Sequence, residues 1–122
     1  MEYKLTLTSA QMAEIHKAVE LLMRIKLGQY QELIYDLCDI KDAKKAVRIS
    51  EADTILKQAF AIIYENKKPS EYKDAEWFIL YDLYQVLRKS IHDAEYPYRP
   101  GLDDSEPMHF SKEPLPKCEW KE

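Results

Sequence analysis

Between Trp77 and Leu87 only Asp82 and Gln85 are formally polar. A surface helix carries one apolar stripe, so a helix that is apolar nearly all round must be covered on more than one side. This predicts a central rod over about 71–93, enclosed by the chain's other helices or by a second copy of the chain. Its one polar strip, Asp82, Gln85 and Lys89 at i, i+3 and i+7, is expected to face water or a ligand. The unbroken apolar stretch Trp77 to Tyr81 is far too short to span a bilayer.

The rest of the chain reads as covering for that rod. Residues 2–8 alternate, with Tyr3, Leu5 and Leu7 on one face, which is the period-two signature of a short strand. Thr8 followed three positions later by Gln11 is a capping-box pattern. Behind it Met12, Ile15, Val19, Leu22 and Ile25 recur at helical spacing, predicting a helix over 10–27 that Gly28 ends by accepting positive φ. Two shorter amphipathic stretches follow. Tyr30, Leu33, Ile34 and Leu37 mark 29–39, and Ile40, Ala43 and Val47 point inward over 40–49. Ser50-Glu51-Ala52-Asp53 reads as a cap with an acidic first turn, opening a helix of Ile55, Leu56, Ala59, Phe60 and Ile63 that ends near Asn66. Five of the six prolines lie in the last 26 residues, which excludes helix over most of that length. Leu102, Met108, Phe110, Leu115 and Trp120 are spaced through it, more apolar side chains than a solubilising tail would carry. The expected fold class is mainly α: a single compact helical domain of four to five helices with a short N-terminal β-strand, over 1–96. An extended Pro-rich C-terminal arm over 97–122 packs on the same domain or on a partner, and 107–111 adds a short strand beside 2–8.

Composition removes function classes. Two glycines, Gly28 and Gly101, leave no room for a P-loop, a dinucleotide fingerprint or a Gly-x-Ser-x-Gly elbow. Two cysteines, Cys38 and Cys118, exclude a Cys-x-x-Cys motif, and three histidines, His16, His92 and His109, are too scattered for a sequence-local metal site. A net charge of −4 disfavours general nucleic-acid binding, which rests on neutralising phosphates. The N-terminus lacks the apolar run of a signal peptide, so a cytoplasmic location is expected, with both cysteines as free thiols. No cofactor and no catalytic or metal residue is assigned.

Three groups of residues stand out as candidate surfaces, each with a plain structural reading beside it. Arg24, Gln29, Tyr81, Tyr84, Arg88 and His92 combine guanidinium forks with tyrosine rings, a set able to cradle an anionic small molecule. The simpler reading is that the arginines cap helix ends or pair with Glu32, Asp36 or Asp82. Lys41, Lys44, Lys45 and Arg48, at relative positions 0, 3, 4 and 7, place four cations on one helical face. A solvated face partnered by Asp39, Asp42 and Glu51 accounts for the same residues. Tyr98 and Arg99 belong to a rigid aromatic, cationic turn, Tyr96 to Gly101, that suits a recognition surface or a packed helix exit equally. For catalysis, magnesium-dependent helical nucleotide hydrolases use paired Glu-x-x-Glu and Glu-x-x-Asp motifs on facing helices, because magnesium demands several carboxylate oxygens. Asp36 with Asp39 and Glu71 with Asp74 give only Asp-x-x-Asp and Glu-x-x-Asp fragments beside expected helix ends.

Three segments together carry a resemblance. Leu22-Met23-Arg24-Ile25-Lys26-Leu27-Gly28-Gln29-Tyr30, the helix segment Tyr81-Asp82-Leu83-Tyr84-Gln85-Val86-Leu87-Arg88, and Glu106-Pro107-Met108 with Ser111-Lys112-Glu113-Pro114-Leu115 occur in one order. In this the chain resembles a group of small uncharacterised proteins encoded by phages and prophages of Gram-positive and related bacteria. It departs from them over 98–105 and 39–68. The resemblance implies a phage-type setting and singles out Arg24, Gln29, Asp82, Gln85 and Arg88; it supplies no reaction. The expected function is a non-enzymatic binding or interaction module, a homodimer, countering a host function by binding a host protein or sequestering a phosphorylated small molecule. The alternatives are a metal-dependent enzyme acting on nucleotides through Asp36, Asp39, Glu71 and Asp74, and a DNA-associated regulator using Lys41 to Arg48.

Overall fold

In a computed structural model, residues 1–37, 41, 45–65, 71, 73–98 and 106–122 are described. They contain four α-helices, α1 (Ser9–Lys26), α2 (Gln31–Leu37), α3 (Ala46–Ile63) and α4 (Ala75–Glu95), and no strand. The chain divides into two compact units, Met1–Glu20 with Phe78–Glu122, and Leu21–Trp77.

In the first unit α1 begins as its sequence dictates. The Thr8 hydroxyl accepts from Gln11 N–H at 3.2 Å while the Gln11 side-chain carbonyl accepts from Thr8 N–H at 2.9 Å, a reciprocal capping box. The strand expected over 2–8 does not form. Tyr3 and Leu5 are exposed, and alternation makes a strand only where a second ladder supplies hydrogen bonds. The companion strand at 107–111 is absent for a related reason, since the N–H groups of Met108, Phe110 and Ser111 are donated to side chains of α4. Among the described residues 97–98 and 106–122 there is neither helix nor strand.

The second unit is organised around the end of α1. Gly28 sits at φ +76°, with its N–H on the Ile25 carbonyl and the Gln29 N–H on the Arg24 carbonyl, both at 2.9 Å. This paired closure is a Schellman motif. The Ile25 carbonyl also accepts the Tyr64 hydroxyl at 2.5 Å, and Tyr64, Phe60 and Tyr30 form a run of tilted rings with centroids 5.5 Å apart. Burial pushes the Tyr64 hydroxyl pKa up, against the pull of Lys26. Met23, Ile34 and Trp77 are the buried apolar residues among those described in this unit. The Trp77 indole N–H donates to the Met23 carbonyl at 3.2 Å. A Cβ at position 28 would meet only the Tyr64 ring at 3.9 Å, an ordinary contact. Gly28→Ala is therefore expected to cost roughly 1–2 kcal/mol through backbone strain alone. A thermal melt of the variant unchanged from the parent would contradict this.

The helix-start reading at Ser50 needs correcting. α3 already begins at Ala46, and the Ser50 carbonyl accepts the Thr54 hydroxyl from inside the helix at 3.1 Å. Ala46 to Ile49 continue the helical period, and one hydroxyl followed by acids does not interrupt a helix already under way. Val47, expected to point inward, is exposed. The other inward residues of that stretch, Ile40 and Ala43, lie outside the described residues, as do Asn66 and Pro69. α4 starts at Ala75 instead of 71, because the Asp74 carboxylate accepts the Trp77 N–H at 2.8 Å and serves as its N-cap.

Candidate functional site

Asp82 and Gln85, two of the three residues of the α4 polar strip, are turned away from water. Asp82 is 1% exposed and Gln85 3% exposed, and both hold the chain's own C-terminal segment. Asp82 Oδ1 accepts Phe110 N–H at 2.8 Å. Its Oδ2 accepts Ser111 N–H at 3.0 Å and the Ser111 hydroxyl at 2.5 Å. Gln85 Oε1 accepts Met108 N–H at 2.7 Å, while its Nε2 is buried without a hydrogen-bond partner among the described residues. Phe110 lies against Phe78 and Tyr81 with ring centroids 6.1 and 5.5 Å away. A residue pattern of this kind has a direct cause. Two polar groups on an otherwise apolar helix must find donors when buried. An extended segment with unpaired N–H groups supplies them.

His109 Nε2 lies 2.6 Å from the Glu113 carbonyl, which can only accept, so Nε2 carries the hydrogen. The same nitrogen is 3.7 Å from Asp82 Oδ2. Burial pushes the Asp82 carboxyl up. The Ser111 hydroxyl, the Phe110 and Ser111 N–H groups and the His109 charge outweigh that effect and hold it below the usual carboxylate value.

Further along α4, Lys89 donates to Asp93 at 3.0 Å, and His92, itself buried, lies 3.4 Å from the same carboxylate oxygen. The Lys89 hydrogen bond, opposed by partial burial and aided by His92, lowers the Asp93 pKa. The Tyr84 ring stacks on His16 at 5.2 Å with 14° between planes, and Arg88 sits 5.7 Å over the same ring.

The candidate residues are thus distributed. Tyr81, Tyr84, Arg88 and His92 belong to the first unit, Arg24 and Gln29 to the second. Arg24 donates to the Gln29 side chain at 3.1 Å and lies 3.9 Å from Glu32, so this pair fastens the exit of α1. The cationic stripe is redrawn. Lys41 and Lys45 precede α3 and Arg48 alone is helical, all three exposed, while Lys44 lies outside the described residues. A four-cation face needs a helix through all four positions, and α3 begins too late. Tyr98 is exposed and Arg99 lies outside the described residues. Of the carboxylates considered as magnesium ligands, Asp36 and Glu71 are exposed and Asp39 is outside the described residues. Asp74, besides capping α4, lies 3.7 Å from Lys26. Lys26 also donates to Glu76 at 3.0 Å. That hydrogen bond, opposed by partial burial and aided by Asp74, raises the lysine's pKa. Among the described residues no three His, Cys, Asp or Glu side chains gather as a metal site would require.

Sequence reasoning missed Met108, His109 and Ser111 as partners of Asp82 and Gln85, and His16 as the partner of Tyr84. The available signal was the pair of polar residues inside an apolar run, since each requires a donor from elsewhere. Compared with family models, curated proteins and solved structures, the chain matches none. No described helix is long and apolar enough to cross a membrane.

Proposed function

We propose that this chain is a non-enzymatic interaction protein of the phage or prophage type that its sequence resembles. It works in the bacterial cytoplasm by docking on another protein chain, its own copy included, and in that way counters a host function. One observation carries the reading. Asp82, the most deeply buried carboxylate among the described residues, has both oxygens committed to the chain's own backbone and to Ser111. A general base or a metal ligand needs a free lone pair directed at a substrate or an ion. Asp82 instead ties down the segment around Phe110, and large apolar side chains elsewhere stand exposed, Ile55 and Ile62 among them.

A second reading, sequestration of a phosphorylated small molecule, draws on the His16–Tyr84–Arg88 group, which brings a guanidinium to an aromatic ring. Thermal shift separates the two. The interaction reading expects no stabilisation by a panel of nucleotides, with or without magnesium or manganese. A shift with one nucleotide that disappears in Arg88→Ala would replace it with sequestration. A shift that requires the metal would replace it with the enzyme reading.

A further inference from the structure

α3 is 18 residues long and none of them is buried. In proteins a helix takes most of its stability from packing an apolar face. One face of α3 is served within its own unit, where Ile49, Ala52, Leu56, Ala59 and Phe60 are half-buried. The opposite face carries Val47, Glu51, Ile55, Gln58 and Ile62, at steps of 4, 4, 3 and 4, and all five are exposed. Val47 is 69%, Ile55 64% and Ile62 74% exposed. The helix therefore has a second, exposed seam of aliphatic side chains that no described residue of its own unit covers.

We infer that this seam is an interface between two copies of the chain, packed as an antiparallel α3 pair. The inference rests on the interaction reading above and names its surface. The seam is self-complementary about a two-fold axis between Thr54 and Ile55. Such an axis sets Val47 against Ile62, Glu51 against Gln58 and Ile55 against Thr54, each match occurring twice, as an isologous interface requires. Glu51 then meets an amide able to donate to it. Arg48, at the edge of the seam, meets a small residue, Ala61. In a parallel pair Glu51 would face Glu51, a like-charge contact that is destabilising. The same letters thus read correctly in one orientation only. An 18-residue helix spans about 27 Å. A seam of one such helix is small beside the about 800 Å² per partner of a standard interface, so association depends on concentration.

The test uses the full chain. Light scattering at high micromolar concentration is expected to give twice 14.5 kDa, and Ile55→Glu is expected to return the monomer with an unchanged helical spectrum. In a Cys38→Ser, Cys118→Ser background, the double variant Val47→Cys, Ile62→Cys is expected to oxidise to a covalent dimer. Each cysteine alone is expected to give none. The two positions lie 15 residues, about 22 Å, apart on one helix, too far to bridge within a chain. A monomer at every concentration, a dimer indifferent to Ile55→Glu, or cross-linking by either single cysteine would each overturn the seam. None of these touches the interaction reading, which falls only to the ligand shifts named above.

Discussion

Replacing Asp82 with alanine is expected to cost roughly 3–5 kcal/mol and to release Phe110 and Ser111 from α4. Three hydrogen bonds end on this carboxylate, from two backbone N–H groups and one hydroxyl, at 2.5–3.0 Å. A bond to a charged acceptor contributes about 1.5–3 kcal/mol, and bonds sharing one acceptor do not add in full. Truncation also leaves the donors of Phe110 and Ser111 without their acceptor in a part-buried setting. Asp82→Asn keeps the shape but turns one oxygen into a donor facing other donors, and should fall between the two. Urea denaturation reads the stability, and amide exchange at Phe110 and Ser111 reads the release. A loss under about 1 kcal/mol with protection retained at both amides would show that the segment is held by something else.

The same group sets a pH dependence. Its folded pKa lies below the ordinary value of 3.8. The stability it contributes is therefore complete above that value and disappears as pH falls through the lower, folded pKa. Asp93, lowered through Lys89, acts in the same direction from a more exposed and so more screened position. The Asp82→Ala variant should accordingly lose less stability than the parent between neutral pH and strongly acidic solution.

Trp77→Ala is expected to cost about 3–5 kcal/mol, the usual range for deleting a buried aromatic side chain. Trp77 is buried, donates its indole N–H to the Met23 carbonyl and lies 5.3 Å below the Lys73 ammonium. Among the described residues Met23 and Ile34 are the other buried apolar side chains of that unit. Trp77→Phe retains the ring and loses the hydrogen bond, and should cost roughly 1–3 kcal/mol. Denaturation midpoints of the two variants are the check. An alanine variant as stable as the phenylalanine variant would mean that the indole fills no real cavity.

Much of the helical scaffold is local and could be read from the letters. The Thr8–Gln11 box and the Gly28 stop involve residues within a few positions of one another, so composition and spacing were enough to place both ends of α1. The apolar girth of α4 likewise pointed to burial along its length, and from 77 to 94 Ile79 alone is exposed. The Ser50 signal misled because a cap motif inside a continuing helical period has no power to end it. The short strand misled because alternation describes half of a ladder and is silent about the other half.

What the letters could not state is which distant groups meet. Asp82 and Gln85 read as polar and hence as facing solvent or ligand, yet they are the best-buried polar residues of α4, paired with a segment 23–29 positions further on. Likewise, the candidate residues Arg24 and Gln29 read as parts of an anion cradle and are bound to each other at a helix exit. Periodicity and capping are short-range effects of backbone geometry, so the amino-acid order determined where helices form and end. Which polar side chain is buried, and by whom it is satisfied, depends on pairings across the chain, and only the tertiary structure decided them.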